Sequence, residues 1–422
     1  MPRVIDTKIE EYLSIFGAIS IEGPKWCGKT WTSLNHANSV NYIMDPEGGY
    51  SNRERARFNP ALALEGSKPR LIDEWQEVPG IWDAVRLDVD LEHRAGKYIL
   101  TGSVSPPRED YSHSGTGRFA IIRMRPMSLF ESGDSLGIMS FESLFREEPI
   151  VPFSADIELT RLIEITVRGG WPETLSIPSH GAAQMSVEYL NLISKNELFR
   201  SSDRKRNTIK LSRLLRALAR NTSTTVNIST LSLDTDAGQS QSESEKGVSR
   251  QTTAEYLDDL RRIYIIDDIP GWLPEIRSKT RIRMAPKLVF ADPSLAIAAL
   301  GLNSDRLLND LNTYGFMFEN LCMRDISIYA ENIGGTVFHY RDNSNLEVDA
   351  IVELPNGAWG AFEIKLGEHH VDAAAATLHR FRDKMLLSGA EPPVCLCVIT
   401  GGGFGRSRDD GISVIPINSL KP

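Results

Sequence analysis

The stretch that most constrains the fold of this chain is EGPKWCGKTWTS, residues 22–33, which follows the apolar run AISI and precedes a helical pattern. Its fixed positions match the phosphate-loop pattern GxxxxGK[ST]. Glycines there let backbone N–H groups face phosphate oxygens, the lysine brings a positive charge, and the threonine hydroxyl ligates Mg²⁺. A surface turn is the alternative interpretation, but the strand before and the helix after favour a nucleotide site. The residues expected to bind nucleotide are Gly23, Pro24, Lys25, Trp26, Cys27, Gly28, Lys29 and Thr30.

Composition limits the class of protein. The chain has 422 residues, of which 41% are hydrophobic and 24% charged, so two or three globular domains are expected. No apolar run approaches the roughly 20 residues that a membrane span needs, and the first residues lack the apolar segment of a signal peptide, so we expect a cytoplasmic protein. Four cysteines without zinc-type spacing are expected to be reduced thiols. The net charge of −9 excludes a uniformly basic nucleic-acid binder but permits local basic patches.

Short apolar runs alternate with helical patterns in the first third of the chain, which predicts an α/β fold with a parallel sheet. The predicted strands are Ala18–Ile21, Val40–Met44, Arg70–Asp73, Lys97–Gly102 and Phe119–Arg125.

Two of these strands end in residues suited to phosphoryl-transfer chemistry. The run RLIDEWQEVP ends its strand at Asp73 and Glu74. In phosphate-loop ATPases an aspartate there holds the Mg²⁺ shell and the next glutamate polarises the attacking water. The run YILTGSVSP ends near Thr101 and Ser103, whose hydroxyls could sense the γ-phosphate. Solvated strand ends are the alternative for both. Beside an intact phosphate loop, they favour ATP hydrolysis with Mg²⁺.

Later motifs make the sequence resemble a bacterial and archaeal family of AAA-type (AAA+) ATPases fused to a C-terminal domain of unknown function. The resemblance rests on GPKWCGKT, LIDEWQEVP, ILTGSVSP, GTGRFAIIRMRPMSLFE, RGGWPE, ADPSLAIAALG, GFMFENLCMRDI, RDNSNLEVDAIVE and AFEIK, in that order. It implies a P-loop NTPase core, a winged-helix-like middle and a C-terminal α/β domain similar to PD-(D/E)xK restriction endonucleases. It also implies a ring-type homo-oligomer in which an arginine of one subunit completes its neighbour's site. Arg118 matches that role best, with Arg123 and Arg125 as rivals.

The middle of the chain carries a possible DNA-binding element. The run VSRQTTAEYLDDLRRIYIIDDIP is typical of the second helix of a helix-turn-helix followed by a wing. Basic residues cluster before it, over residues 200–220. Such clustering in an acidic protein favours contact with DNA phosphates, and an ATPase lid with solvated charges is the alternative. The residues predicted to contact DNA are Arg204, Lys205, Arg206, Ser249, Arg250, Gln251 and Thr252.

Carboxylates near the end of the chain suggest a second site. Glu363 and Lys365 share one face of a predicted strand, Asp349 falls in the neighbouring strand of a probable hairpin, and Glu319 lies in a preceding helix. A nuclease of the implied type needs two acids to hold Mg²⁺ and a lysine to orient water. A salt bridge on a sheet surface, or a fold kept for binding alone, is the alternative.

These observations predict three regions: a phosphate-loop AAA-type ATPase domain over 1–150, a helical and winged-helix-like region over 151–285, and a nuclease-like domain over 286–422. The leading hypothesis is an oligomeric ATPase that acts on DNA. The alternative is an ATP-dependent switch that binds a protein partner and carries an inactive nuclease-like domain.

Overall fold

The computed structural model describes residues 2–104, 115–146, 148–197, 207–235, 247–274 and 285–422, with the side chains of 196 and 197 left out. Their contacts form two compact units. Unit 1 takes in Met1–Pro126 and Asp259–Ile265, and unit 2 takes in Met127–Asp258 and Ile266–Pro422. The division into three domains stays a prediction. The first boundary between the two units follows Pro126.

Unit 1 is built on a five-stranded sheet. Its strands are β1 Ala18–Glu22, β2 Ser39–Tyr42, β3 Arg70–Asp73, β4 Tyr98–Gly102 and β5 Phe119–Arg123. They lie in the order β2-β3-β4-β1-β5, and each neighbouring pair is parallel. The central strands β1 and β4 are buried almost throughout, which is why they are continuous apolar runs. All five predicted strands are present, with ends that differ by up to two residues.

Helices cover this sheet: α1 Asp6–Ile15, α2 Lys29–Leu34, α3 Ser51–Phe58 and α4 Gly80–Glu92. Helix α4 buries Ile81, Trp82, Val85 and Val89 on one face, the spacing of an amphipathic helix. The Trp82 ring stacks on Phe119 at a centroid distance of 3.9 Å. Because the strands are parallel, the residues that follow β1, β3 and β4 meet at one edge of the sheet.

Unit 2 is built on a seven-stranded mixed sheet. Its strands are β7 Phe153–Ala155, β11 Thr336–Arg341, β12 Glu347–Glu353, β13 Trp359–Lys365, β14 Cys395–Thr400, β15 Gly403–Ser407 and β16 Ser413–Pro416. Their order is β11-β12-β13-β14-β16-β15-β7, with β13, β14 and β16 parallel and the other pairs antiparallel. The predicted hairpin through Pro355–Gly357 is the β12–β13 turn. Strand β7 therefore closes one edge of a sheet made mostly from the end of the chain.

Two smaller sheets complete unit 2. Strands β8 Thr224–Thr225, β9 Ile266–Ile269 and β10 Lys287–Phe290 are antiparallel in the order β8-β10-β9. Strands β6 Met139–Ser140 and β17 Leu420–Lys421 pair in parallel.

The helices of unit 2 are α5 Phe141–Leu144, α6 Leu159–Arg168, α7 Ser179–Leu192, α8 Thr208–Arg220, α9 Ile228–Asp234, α10 Arg250–Arg262, α11 Pro293–Leu300, α12 Ser304–Asn309, α13 Leu311–Asn332 and α14 Val371–Leu387. Helix α10 lies in the run predicted to form the second helix of a helix-turn-helix, and its last residues belong to unit 1. Across the described ranges, no helix combines the length and apolarity that crossing a bilayer requires.

A buried ionic group holds distant parts of unit 2 together. Arg324 of α13 donates to Asp292 at 2.7 Å and to Asp325 at 2.9 Å. Asp292 also accepts from the Gly170 backbone, and Asp325 accepts from the Leu129 backbone, each at 2.9 Å. These contacts, called the Arg324 node below, join four of the motifs that carry the family resemblance. Those motifs therefore have a packing role in this fold.

Candidate nucleotide site and carboxylate cluster

The phosphate loop runs from Gly23 to Thr30 between β1 and α2. Gly28 has φ +101° and Trp26 has φ +71°, both in the left-handed region. A Cβ at Gly23 would lie 2.1 Å from the carbonyl oxygen of Met124, so only glycine fits where the loop leaves β1. The backbone therefore turns as the sequence pattern predicts.

The two chemical side chains of the loop point inward. The Lys29 Nζ donates to the carbonyl oxygens of Gly23 at 3.0 Å and Pro24 at 2.8 Å, and the residue is only 6% exposed. The Thr30 hydroxyl donates to Asp73 Oδ1 at 2.7 Å. The loop lysine is thus held inside the curve of the loop, and the loop threonine is tied to the end of β3.

Asp73 links the hydrogen bonds at this edge of the sheet. Its Oδ1 also accepts from the Thr101 hydroxyl at 2.6 Å, so one carboxylate joins the ends of β3 and β4 to the loop. Burial raises the pKa of Asp73, while the two hydroxyl hydrogen bonds oppose that rise. Hydroxyl and carboxylate oxygens are the ligands that Mg²⁺ prefers. Thr30 and Asp73 therefore fit the predicted magnesium site.

Glu74 lies beside this group in a left-handed conformation, with φ +58°. Its Oε2 accepts from the Ser103 hydroxyl at 3.3 Å and from the Gln76 amide. The structure thus brings together the residues predicted from three separate strand ends: Thr30, Asp73, Glu74, Thr101 and Ser103.

Arg118 lies at the other edge of the sheet. It directly precedes β5, whose first residues pair with the start of β1. Its Nε donates to Asp90 Oδ1 at 2.6 Å, and the side chain is 48% exposed. The structure does not bring Arg118 to the phosphate loop of its own chain. The rival Arg123 ends β5 at the loop edge, where its guanidinium carbon lies 4.0 Å from the ring centroid of Tyr264.

The predicted carboxylates of unit 2 do gather, around lysines. Lys365 Nζ lies 3.0 Å from Asp349 Oδ2 and 2.7 Å from Glu363 Oε2. The backbone N–H of Ile364 also donates to Asp349 Oδ2, at 2.8 Å, which fixes the aspartate across the β12–β13 pair. Glu319 of α13 joins the same cluster through a second lysine, Lys287.

Sequence reasoning missed Lys287. It opens β10 and is fully buried, with its Nζ 2.8 Å from Glu319 Oε1 and 3.9 Å from Asp349 Oδ1. A lysine followed by the apolar run LVF was a usable signal, because a lysine in a buried strand needs an acidic partner. The carboxylate cluster below means Glu319, Asp349 and Glu363 with these two lysines.

Burial and the charges of the two lysines together set the pKa values in the carboxylate cluster. Burial raises the pKa of Glu319 to about 7 and that of Glu363 to about 8. Burial acts the same way on Asp349, but the charges of Lys365 and Lys287 outweigh it and lower its pKa. Each carboxylate already has an ammonium partner. Within the described residues, no three His, Cys, Asp or Glu side chains are placed to hold a metal ion. The metal role of Glu319, Asp349 and Glu363 stays a prediction.

Removing the Lys287 charge should open the carboxylate cluster to a divalent cation. In Lys287→Met, Glu319 loses its ion-pair partner and repels the nearby carboxylates unless a cation replaces the ammonium. We expect the Lys287→Met chain to bind one Mn²⁺ that the unmodified chain does not. Free Mn²⁺ can be measured by electron paramagnetic resonance, without nucleotide and with Asp73→Asn in every protein to silence the loop site.

Adding Glu319→Gln to Lys287→Met should abolish the gained ion. Mn²⁺ binding by the chain with Lys287 intact, lost on Glu363→Gln, would contradict the prediction.

The predicted DNA-contacting residues fall into two groups. Arg204, Lys205 and Arg206 lie outside the described residues. Ser249 precedes α10, and its hydroxyl accepts from the Thr252 backbone at 3.2 Å and lies 2.9 Å from the Thr252 hydroxyl. The Ser249 hydroxyl therefore caps the helix. Arg250 and Gln251 are exposed on its first turn.

Comparison with known proteins agrees with this geometry in unit 1. Residues 16–132 match the family described as AAA domain. That segment holds the parallel sheet, the phosphate loop and the Asp73 group. Unit 1 therefore contains a segment similar to AAA domains. Residues 159–306 and 314–420 match two domains of unknown function, DUF8612 and DUF4143.

Two curated relatives are similar to this chain in sequence. They are uncharacterized proteins of Mycobacterium bovis and Mycobacterium tuberculosis, each 24% identical over 360 residues, covering 82% of this chain and 70% of the relative. Among solved structures, a Walker-type ATPase of Pyrococcus abyssi is 15% identical, covering 70% of this chain and 94% of its own, with a TM-score of 0.39. The ORC2 protein of Aeropyrum pernix is 10% identical, covering 74% and 90%, with a TM-score of 0.28.

Proposed function

We propose that this protein binds and hydrolyses ATP at the edge of the unit 1 sheet. The observation that carries the proposal is the Asp73 carboxylate, which accepts from both Thr30 and Thr101 beside an intact phosphate loop. Lys29 would contact the β and γ phosphates, and Thr30 and Asp73 would hold Mg²⁺. The bound ion would withdraw charge from the phosphate oxygens.

Glu74 is the general base in this proposal. It follows the buried end of β3, and its carboxylate is held by Ser103 and Gln76. A carboxylate so fixed can orient a water molecule and accept its proton. Ser103 and Thr101 are placed to respond to the γ-phosphate because they end the neighbouring strand.

Arg118 acts on the nucleotide of a second copy in this proposal. Its place at the far edge of the sheet keeps it from its own phosphate loop, while its exposure leaves it accessible to a neighbour. Asp90 would have to release it on assembly. A ring-type homo-oligomer is part of this proposal, as the family resemblance implies.

DNA is the partner that we propose for the middle region. Arg250 and Gln251 are exposed at the start of a helix that precedes an antiparallel sheet. Unit 2 also contains, in chain order, a helix, three antiparallel strands, a second helix and a strand parallel to the third: α13, β11, β12, β13, α14 and β14. This order of elements supports the nuclease-like fold. The lysine-neutralised carboxylate cluster favours a binding role for that fold over metal-dependent cleavage.

ATP turnover by the oligomer, with and without DNA, tests this function. We expect ATP hydrolysis that DNA accelerates, and loss of ATP binding in Lys29→Ala because the loop lysine is the charge that meets the phosphates. Lys195→Ala is the matched control, since it removes an exposed lysine that lies outside the phosphate loop. Absence of hydrolysis in the unmodified chain would refute the proposal. Hydrolysis unaffected by DNA at low salt would instead favour the protein-partner switch.

A further inference from the structure

A short segment from far along the chain belongs to unit 1. Residues Asp259–Ile265 include the last turn of α10 and the link to β9. Within this link Tyr264 has φ +63°, a backbone conformation that costs energy for a bulky residue. Such a conformation persists only where surrounding contacts fix it.

Two strand ends supply those contacts. The Tyr264 hydroxyl donates to Glu22 Oε2 at the end of β1. The Arg123 guanidinium covers the Tyr264 ring, with its carbon 4.0 Å from the ring centroid, and its Nη2 donates to the Tyr264 carbonyl at 3.4 Å. Glu22 and Arg123 are register partners in the β1–β5 pair. Tyr264 therefore bridges the ends of β1 and β5.

This bridge is next to the phosphate loop in sequence and in space. Glu22 directly precedes Gly23, whose carbonyl oxygen accepts from Lys29. The Glu22 carbonyl accepts from the Met124 backbone at 2.7 Å, and the Met124 carbonyl is the atom that leaves no room for a side chain at Gly23. The hydroxyl of Tyr264 thus holds the residue from which the loop begins.

We propose that Tyr264 is a positioning residue of the nucleotide site and couples ATP binding to helix α10 through Glu22. The proposal rests on the ATP-binding function proposed above. Since α10 continues into the segment that holds Glu22, a change in the loop on ATP binding changes the restraint on α10. By thermodynamic linkage, a ligand that stabilises α10 then changes ATP affinity by the same factor.

Hydrogen exchange of the full chain, with and without ATP, tests the coupling. In the unmodified chain, ATP should slow exchange in peptides that cover residues 250–262. In Tyr264→Phe the ring stays over Arg123 but the hydroxyl bond to Glu22 is gone. We expect ATP still to bind, about tenfold more weakly, and the ATP-dependent protection of α10 to disappear.

Matched variants separate coupling from general packing. Tyr256→Phe removes a tyrosine hydroxyl from α10 itself, where it accepts from the Asn207 backbone at 3.0 Å. This variant should leave ATP affinity unchanged. Glu22→Leu, which leaves the Tyr264 hydroxyl no acceptor at this position, should weaken ATP binding as Tyr264→Phe does, and the double variant should be no weaker than either, because both remove one contact.

Equal ATP affinity and equal protection in Tyr264→Phe and the unmodified chain would overturn the coupling and leave the ATPase function standing. So would additive effects of Tyr264→Phe and Glu22→Leu, or the same loss in Tyr256→Phe. An unmodified chain that binds no ATP would overturn both.

Discussion

Replacing Glu74 with glutamine should slow ATP hydrolysis by about a thousandfold while ATP binding stays intact. The amide keeps the size of the side chain and can keep its contacts with Ser103 and Gln76, but it cannot accept a proton from water. Removal of a positioned general base costs roughly 10²–10⁴ in rate. Single-turnover hydrolysis and equilibrium binding of ATP, measured on the same preparation, separate the two effects.

Glu77→Gln is the matched control for this experiment. Glu77 lies in the short turn that follows Glu74, so the same change is made three residues away. We expect it to keep turnover near that of the unmodified chain. Normal turnover in Glu74→Gln would remove Glu74 from the mechanism, and lost ATP binding would show that its role is structural.

Replacing Arg324 with methionine should destabilise unit 2 by about 3–5 kcal/mol, because it leaves the buried carboxylates of Asp292 and Asp325 without their cation. The methionine fills much of the arginine's volume, so the loss of charge dominates. The measurement is a urea titration in which pulsed hydrogen exchange is read on peptides from Leu311–Asn332. Those peptides report unfolding of unit 2 itself.

Arg146→Met is the matched control for Arg324→Met. Arg146 also pairs with a carboxylate, Glu142, at 2.6 Å, but both side chains are largely exposed. Water screens that pair, so its loss should barely move the urea midpoint. A small effect of Arg324→Met, close to that of Arg146→Met, would mean that the Arg324 node contributes little to stability.

Local sequence patterns predicted the geometry of the phosphate loop, for a physical reason. The turn at Gly28 and the positions of Lys29 and Thr30 depend on neighbours within a few residues. Asp73 and Thr101 come from distant segments. Because the ends of parallel strands meet at one edge of a sheet, predicting the two strands was enough to predict that these residues lie close together. The α/β fold of unit 1 followed from the same alternation of strands and helices.

Long-range contacts were beyond that reasoning. Lys287 of β10 pairs with the carboxylates of Glu319 and Asp349, which lie in other elements. No rule of sequence spacing links a lysine to acids so much later in the chain. The Tyr264–Glu22 bond joins residues 242 positions apart. Sequence could place each of these residues on a strand or a helix. It could not show that two lysines would pair with the three predicted metal ligands.

The place of β7 and β6 in unit 2 affects how the protein can fold during synthesis. Strand β7 pairs with β15, and β6 pairs with β17. These two early strands therefore cannot pair until the end of the chain has been synthesised. Roughly 250 residues separate β7 from β15. At roughly 5–20 residues per second, the ribosome needs on the order of 10–50 s to make them. During that time β7 has no native neighbour, which makes nascent unit 2 a natural substrate for chaperones.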